Sequence, residues 1–202
     1  MHISDGVLPL SVTLGGYALS LALAAWSARR TRSQDLPKVA VVTSAFFVAS
    51  LIHIPLGPTS AHLLMPGLAG ALLGSVSFLA IGLGLLLQSL LFQFGGLTAL
   101  GANALMMGVP AIVCGFFFQT LKGRTQLRQA VVGGMAGALG TALAAVLLAL
   151  LLAAGGEDFF GVAKIALAAH VPVIGIEGVV SALTIAFLFR VKPDLLQPRF
   201  LL

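Results

Sequence analysis

Long apolar runs separated by short polar or glycine-rich stretches make up most of this chain. A transmembrane helix needs about 20 consecutive apolar residues. Runs of that length cover residues 8–28, 38–55, 101–121, 129–154 and 159–190. Between residues 39 and 121 there is no Asp, Glu, Lys or Arg, so several spans must share a stretch that no soluble domain of this size could shield from water.

The stretch 60–97 is too long for a single helix across a bilayer. At 1.5 Å per residue it would extend for about 57 Å, against a hydrocarbon core of roughly 30 Å. A turn at 74–77, which begins with a glycine, divides it into predicted helices at 61–73 and 76–94. The chain is therefore predicted to be an all-α integral membrane protein with about seven transmembrane helices.

The positions of Lys and Arg predict the orientation of these helices. Cytoplasmic loops of membrane proteins carry an excess of both residues. With the N-terminus outside, one side of the membrane receives every Lys and Arg except Lys164, in clusters at 29–38, 122–128 and 190–199. Without the turn at 74–77 the second cluster would lie outside. We therefore predict an outer N-terminus, with no cleavable signal peptide before it, and a cytoplasmic C-terminus.

Composition and charge exclude several other classes of protein. The sequence is 59% hydrophobic and 8% charged, with a mean hydropathy of +1.10, which lies far outside the soluble range. The net charge of +5 comes from basic residues in short clusters between apolar runs, so nucleic acid is not an expected partner. The lone Cys114 offers neither a disulfide framework nor a cysteine-based metal site.

Motifs for nucleotide binding and for hydrolysis are missing. The sequence has no G-x-x-x-x-G-K-[ST] loop, so no nucleotide is expected to bind this chain. It also lacks H-E-x-x-H and G-x-S-x-G, which counts against an intramembrane protease. The chain is therefore not expected to be an enzyme.

All four histidines fall at or near the outer ends of the predicted segments. His2 precedes the first span, His53 ends the second, His62 begins the third, and His170 lies about a third of the way into the last. Taken singly, His53 and His170 also fit hydrogen-bonded structural residues. Because all four histidines lie on the same predicted side of the membrane, the pattern suggests a metal-binding outer face.

The first two residues offer three nitrogens in sequence. These are the free amine of Met1, the amide nitrogen of His2 and its imidazole Nδ1. Chelation through them closes a five-membered and then a six-membered ring, both of which prefer planarity. Completed by one more imidazole, the set suits square-planar Ni(II) or Cu(II), with Co(II) also accommodated, and disfavours tetrahedral Zn(II). Amide deprotonation predicts that affinity falls in acid.

Glu177 is the only acidic residue inside a predicted span, and it follows His170 by seven residues, on the same helix face. An intramembrane carboxylate is costly and is usually functional. Three interpretations stay open: a carboxylate held by hydrogen bonds between helices, a helix-positioning group, or a proton relay. The relay, with His170, would fit a self-sufficient proton-coupled secondary metal carrier.

Small residues recur every four positions in the run 129–154. They are Gly133, Gly137, Thr141 and Ala145. Such a stripe lets helix backbones approach closely in lipid. It serves either internal packing or a docking face for a partner membrane subunit.

Four blocks of this sequence resemble the CbiM/NikM family, the substrate-capture components of energy-coupling-factor transporters for cobalt and nickel. Residues 1–6 read MHISDG, similar to the family's M-H-I-x-[DE]-G start. Residues 53–74 read HIPLGPTSAHLLMPGLAGALLG, which resembles its P-x-G-x-[TS]-x-H-L pattern but has two residues rather than one between Thr59 and His62. Residues 90–110 and 170–188 resemble two further blocks. The blocks run in family order over nearly the whole chain, as one domain, 1–202.

The resemblance implies a site and an assembly. Met1 and His2 would supply the amine, amide and first imidazole, His62 the fourth nitrogen, and His53 would be a neighbour rather than a required ligand. Co(II) or Ni(II) would be the transported substrate. Partners would be a coupling transmembrane (T) subunit, two cytosolic ATPases and, in some systems, a small extra membrane subunit, all at a prokaryotic inner membrane that this multi-pass chain crosses.

Overall fold

The computed structural model describes residues 2–51, 53–56 and 59–197, and for 53–56 and 59–61 only the backbone. The helices are α1 (Leu10–Arg30), α2 (Leu36–Ala49), α3 (Pro66–Leu73), α4 (Ser77–Phe92), α5 (Leu100–Leu121), α6 (Gln126–Ala154) and α7 (Phe160–Val191). Two short strands, β1 (His53–Leu56) and β2 (Thr59–His62), form an antiparallel hairpin. The predicted helical membrane class is confirmed.

Among the residues that the structure describes, five helical segments are long and apolar enough to cross a membrane. They are Leu10–Arg30, Pro66–Phe92, Leu100–Leu121, Gln126–Ala154 and Glu157–Val191. Helix α2, with 14 residues, would extend for only about 21 Å, against a hydrocarbon core of roughly 30 Å. The expected count of about seven spans and the outer N-terminus therefore stay predictions.

The predicted break within 60–97 is confirmed. A 3₁₀ turn, Gly74–Val76, separates α3 from α4, and Gly74 has φ 59° and ψ −128°, a conformation that favours glycine. Both helices pack against α5. A Cβ atom on Gly70 would lie 2.8 Å from Gly115 N, and one on Gly108 would lie 2.5 Å from Phe78 Cδ2. The break thus gives two short helices that share one neighbour.

The region between α2 and α3 differs from the prediction of spans at 38–55 and 61–73. Helix α2 ends at Ala49, and α3 begins only at Pro66, with the β1–β2 hairpin between them. Proline is favoured at the first position of a helix, and it disfavours the α conformation in the residue before it. Met65 lies in the left-handed region, at φ 53° and ψ 24°, so the right-handed helix does not extend back through it. His53 therefore begins β1 rather than ending a span, and His62 ends β2 rather than beginning a helix.

Close packing of small residues joins α6 to α7. A Cβ atom on Gly137 would lie 2.3 Å from Ser181 Oγ, and one on Gly133 would lie 2.6 Å from Ile185 Cγ1. Thr141 and Ala145 are buried as well. The four-residue stripe of α6 therefore packs inside the molecule, which decides between the two interpretations left open for it.

The outer surface of the helices is apolar, whereas several polar side chains are inside. Leu19, Val171, Leu183 and Phe187 are each more than 60% exposed. Large apolar surfaces of this extent are expected where helices face lipid. The buried polar residues include Glu177 and also Ser50, Gln88 and Asn103, which are joined by hydrogen bonds to the N-terminal segment described below.

The bundle has two chemically different ends. At the basic end, where α5 and α7 terminate, Lys38 Nζ donates to Leu195 O at 2.7 Å and Lys122 Nζ donates to Leu196 O at 2.7 Å. At the histidine end, where α4 terminates and α5 begins, the chain's first residues enter the bundle. The candidate site is at this end.

Candidate metal centre

The N-terminal segment is inserted into the histidine end rather than lying over its surface. His2 is 6% exposed and Ile3 is fully buried. Ile3 N donates to Asn103 Oδ1 at 2.9 Å, and Asn103 Nδ2 donates back to Ile3 O at 3.0 Å. Because one side chain satisfies both main-chain groups of a buried residue, Asn103 fixes the depth of the segment.

Asp5 holds the same segment at the rim of the bundle. Its carboxylate accepts hydrogen bonds from Thr98 N at 2.8 Å and Thr98 Oγ1 at 2.5 Å. The Thr98 hydroxyl is the largest influence, and it lowers the pKa of Asp5 below its ordinary value. Gly96, at φ 69°, lies so close that a Cβ atom there would be 2.1 Å from Asp5 Cγ, so the loop before α5 needs glycine to admit this carboxylate.

His62 reaches the site from the end of β2. It is 4% exposed, and its Nδ1 lies 2.8 Å from the Leu63 carbonyl oxygen. A carbonyl only accepts hydrogen bonds, so Nδ1 carries the proton and Nε2 carries the lone pair in the neutral ring. Burial holds the pKa of His62 well below its ordinary value. A neutral imidazole with an accessible lone pair is the form that binds metals.

The structure brings His2 and His62 together across 60 residues of sequence. His62 Nε2 lies 3.3 Å from His2 Nδ1, and the ring centroids are 4.9 Å apart with an interplanar angle of 28°. With metal–imidazole bonds of about 2 Å, two nitrogens on one ion lie within about 4 Å of each other. The two nitrogen atoms expected from the sequence and the family resemblance therefore lie close enough to share an ion.

The side chains that the structure describes do not complete a metal site by themselves. Among the residues that the structure describes, no group of three His, Cys, Asp or Glu side chains is close enough to hold a metal ion. The N-terminal chelate predicted from the sequence would supply main-chain nitrogens as further donors. Met1, which would supply the amine, lies outside the described residues.

Gln88, at the end of α4, contacts the other nitrogen of the His2 ring. Its Oε1 lies 2.7 Å from His2 Nε2, and its Nε2 donates to Ser50 Oγ at 2.6 Å. Sequence reasoning missed Gln88, Ser50 and Asn103. The available signal was their polarity within apolar helices, where each needs a hydrogen-bonding partner.

Glu177 lies below the hairpin and holds the chain that follows His62. Its Oε1 accepts hydrogen bonds from Leu64 N and from Met65 N, the latter at 2.8 Å, and the side chain is 1% exposed. These donors precede α3, whose N-terminus attracts negative charge. The contacts support the interpretation of Glu177 as a carboxylate fixed between elements, and through Leu64 it positions His62.

The two remaining histidines have different surroundings. His170 is fully buried, its Nδ1 lies 2.6 Å from Ala166 O, and within the described part of the chain its Nε2 makes no hydrogen bond. His53 is the register partner of His62 in the hairpin, but its side chain lies outside the described residues. Neither observation makes either histidine a ligand.

Comparison with known proteins identifies the family. A family model described as "Cobalt uptake substrate-specific transmembrane region" matches residues 2–195. The chain belongs to the CbiM family. This confirms the resemblance noted in the four sequence blocks, and it makes the chain a transmembrane component of a transport family rather than an enzyme family.

Individual CbiM-family relatives align over almost the whole chain. The cobalt transport protein CbiM of Sorangium cellulosum is 34% identical over 98% of this chain and 95% of its own length. The fused nickel transport protein NikMN of Rhodobacter capsulatus is 31% identical over 98% of this chain but only 65% of its own length. A solved structure of a transition metal transporter superimposes with a TM-score of 0.77 at 25% identity, covering 96% of this chain and 94% of that one.

Proposed function

We propose that this chain is the substrate-binding membrane subunit of an ATP-driven energy-coupling-factor importer. It captures Co(II) or Ni(II) at the outer face of a prokaryotic inner membrane and delivers the ion inward. The single observation that carries the proposal is the distance of 3.3 Å between His2 Nδ1 and His62 Nε2 in a buried setting. Residues 1–202 act as one domain in this proposal.

The ligand set consists of four nitrogens. They are the Met1 amine, the His2 amide, His2 Nδ1 and His62 Nε2. Three observations support a ligand set that is completed by main-chain nitrogens. His2 and His62 form a buried pair, Asn103 holds the backbone of Ile3, and no third metal-binding side chain lies close by among the described residues. A planar nitrogen set favours Ni(II), with Co(II) as the alternative, over Zn(II).

Energy and coupling come from other proteins. The sequence lacks a nucleotide-binding loop, so ATP hydrolysis requires two separate cytosolic ATPases and a coupling membrane subunit. The fused NikMN relative supports this, because its matching region is joined to a further transport segment in one chain. A small extra membrane subunit fits the same arrangement.

Elemental analysis of the purified chain tests the capture step. Protein with a native N-terminus, loaded with Ni(II) or Co(II) and desalted, should retain about one ion per chain, because one set of four nitrogens makes one site. The nickel form should be yellow, with a d–d absorption band typical of square-planar nitrogen ligation. A colourless zinc-preferring protein would contradict the proposed ligand set.

Transport assays separate the importer from a proton-coupled secondary carrier. Proteoliposomes that contain this chain alone should not accumulate radioactive nickel, whereas addition of the coupling subunit, the ATPases and ATP should start uptake. The contacts of Glu177 with two main-chain amides already argue against a mobile proton relay. Uptake by the chain alone, driven by a pH gradient, would support the carrier instead.

A further inference from the structure

Three side chains and one carbonyl form a directed chain of hydrogen bonds behind the His2 ring. From the backbone outward, Ser50 Oγ donates to Phe47 O at 2.7 Å, Gln88 Nε2 donates to Ser50 Oγ at 2.6 Å, and Gln88 Oε1 lies 2.7 Å from His2 Nε2. Gln88 and Ser50 are both fully buried. We propose that Gln88, oriented by Ser50, fixes the His2 tautomer and so selects Nδ1 as the metal-binding nitrogen.

The direction of the chain follows from its fixed end. The Phe47 carbonyl can only accept, so it takes the single hydroxyl hydrogen of Ser50. Ser50 Oγ must therefore act as an acceptor toward Gln88, which places the NH₂ group of the amide on that side. The carbonyl oxygen of the amide then faces His2, and it needs a donor. In the neutral ring His2 Nε2 thus carries the proton, and Nδ1 carries a lone pair that faces the lone pair of His62 Nε2 at 3.3 Å, so that an ion, rather than a hydrogen bond, would join the two nitrogens.

The opposite tautomer would prevent chelation. If the Gln88 amide were reversed, its NH₂ group would face His2 Nε2 and make that nitrogen the acceptor. His2 Nδ1 would then carry the proton and could not bind a metal without losing it. Only Nδ1 is near enough to its own main-chain amide to close a six-membered ring, since Nε2 points to the far side of the imidazole.

Gln88 is therefore a positioning residue that acts through His2. A hydrogen bond to the second ring nitrogen of a metal-binding histidine fixes its tautomer and orientation and raises its basicity. In most metalloproteins a carboxylate or a main-chain carbonyl provides this contact. Here a neutral amide does so, and a serine prevents it from turning. A neutral partner avoids a buried charge in the empty site.

This inference rests on the proposed function, because it assumes that His2 binds the ion. Its direct test does not require metal. Histidine labelled with ¹⁵N in the ring reports the tautomer through the chemical shifts of the two nitrogens, and His2→Ala assigns the His2 signals. The variants are Gln88→Met, which removes the acceptor, Gln88→Glu, which retains it, and Ser50→Ala, which lets the amide turn.

The metal-free wild type and Gln88→Glu should both show His2 protonated at Nε2. Gln88→Met and Ser50→Ala should still fold and show mixed tautomers, with a melting temperature lowered by several degrees because buried hydrogen bonds are lost. The Ni(II) affinity of Gln88→Met should fall by about tenfold to a hundredfold, the range for loss of such a partner, and Gln88→Glu should largely restore it. If Gln88→Met fails to fold, the smaller change Ser50→Ala decides the matter.

Two results distinguish failure of this inference from failure of the proposed function. An unchanged His2 tautomer in the folded variants would overturn the role of Gln88 and leave the metal site intact. His62→Ala provides the opposite case, because it should abolish Ni(II) binding without changing the His2 tautomer. Retention of full Ni(II) affinity by His62→Ala would reject the proposed site itself.

Discussion

The histidine end and the basic end of this bundle use polar groups in opposite ways. At the histidine end, side chains contact side chains and main-chain groups through a network that spans the N-terminal segment, α4 and α5. At the basic end, Lys38 and Lys122 donate to carbonyls that follow α7. The network at the histidine end determines which ring nitrogen of His2 faces His62. The lysine contacts at the basic end join chain segments and do not orient any metal-binding group.

This difference indicates where substitutions will affect chemistry and where they will affect only stability. A directed network loses its function when one donor becomes an acceptor, because each partner determines the next. A lysine that contacts a carbonyl contributes a single bond, whose loss has a limited effect. We therefore expect metal affinity to depend on the histidine end alone.

The sharpest contrast between the ends should be their predicted position relative to the membrane. In a background without Cys114, Thr125→Cys at the basic end should escape an impermeant thiol reagent added outside intact spheroplasts, whereas Glu157→Cys at the histidine end should react fully. Both positions are exposed, so access depends on the side of the membrane. Labelling at 125 from outside would overturn the predicted orientation.

The N-terminal amine should have an effect on affinity as large as that of His62, since both are proposed direct ligands. One extra residue ahead of Met1, or acetylation of its amine, should lower Ni(II) affinity by more than about a hundredfold, since loss of a direct ligand exceeds the effect of an outer partner. The extension converts the amine into an amide and displaces the new amine. A titration of each form, with a C-terminal tag as the control, provides the measurement. Equal affinities would exclude the amine as a ligand.

His62 and His53 should differ by more than tenfold. His62→Ala removes the nitrogen that faces His2 and should abolish binding, whereas His53→Ala should weaken it only modestly. The two residues are register partners in one hairpin, which makes them a matched pair of substitutions. Calorimetric titration with Ni(II) measures both. Similar losses would mean that His53 is also a ligand.

Asn103 should have an intermediate effect. Asn103→Ala leaves the buried N–H and C=O groups of Ile3 without this partner, at a cost of about 1–3 kcal/mol for each unsatisfied group. Because the N-terminal segment must be inserted for binding, Ni(II) affinity should fall by about tenfold, which corresponds to 1.4 kcal/mol. Asn103→Asp retains the acceptor for Ile3 N but places a carboxylate oxygen against Ile3 O, so affinity should fall in this variant as well. Wild-type Ni(II) affinity in Asn103→Ala would show that the hydrogen bonds between Asn103 and Ile3 are not needed for metal binding.

The smallest effect is expected at the basic end. Lys38→Met removes one hydrogen bond to Leu195 O and should lower stability by about 1 kcal/mol, or roughly 2–4 °C in melting temperature. Lys164→Met, at an exposed lysine, is the control and should cause no measurable change. Ni(II) affinity should stay constant in both. A tenfold change in affinity would show that the two ends are coupled.

The sequence by itself determined the features that depend on local pattern. Apolar runs predicted α1, α5, α6 and α7 to within a few residues, because a helix across lipid must satisfy its own backbone over a fixed length. Excess length and Gly74 predicted the break between α3 and α4 for the same reason. The motif at 1–6 indicated the nitrogen donors, because adjacent residues form a chelate without help from the fold.

Only the tertiary structure decided which distant groups meet. The His2–His62 contact spans 60 residues, the His2–Gln88 contact 86 and the Ile3–Asn103 contact 100, and hydropathy carries no information about such pairs. The sequence pattern did not predict the hairpin that carries His62 for a related reason. Its apolar residues extend the apolar runs on either side, so they were assigned to the neighbouring helices. Strand pairing depends on partners rather than on local periodicity, so residues 53–62 could be assigned only once the surrounding helices were in place.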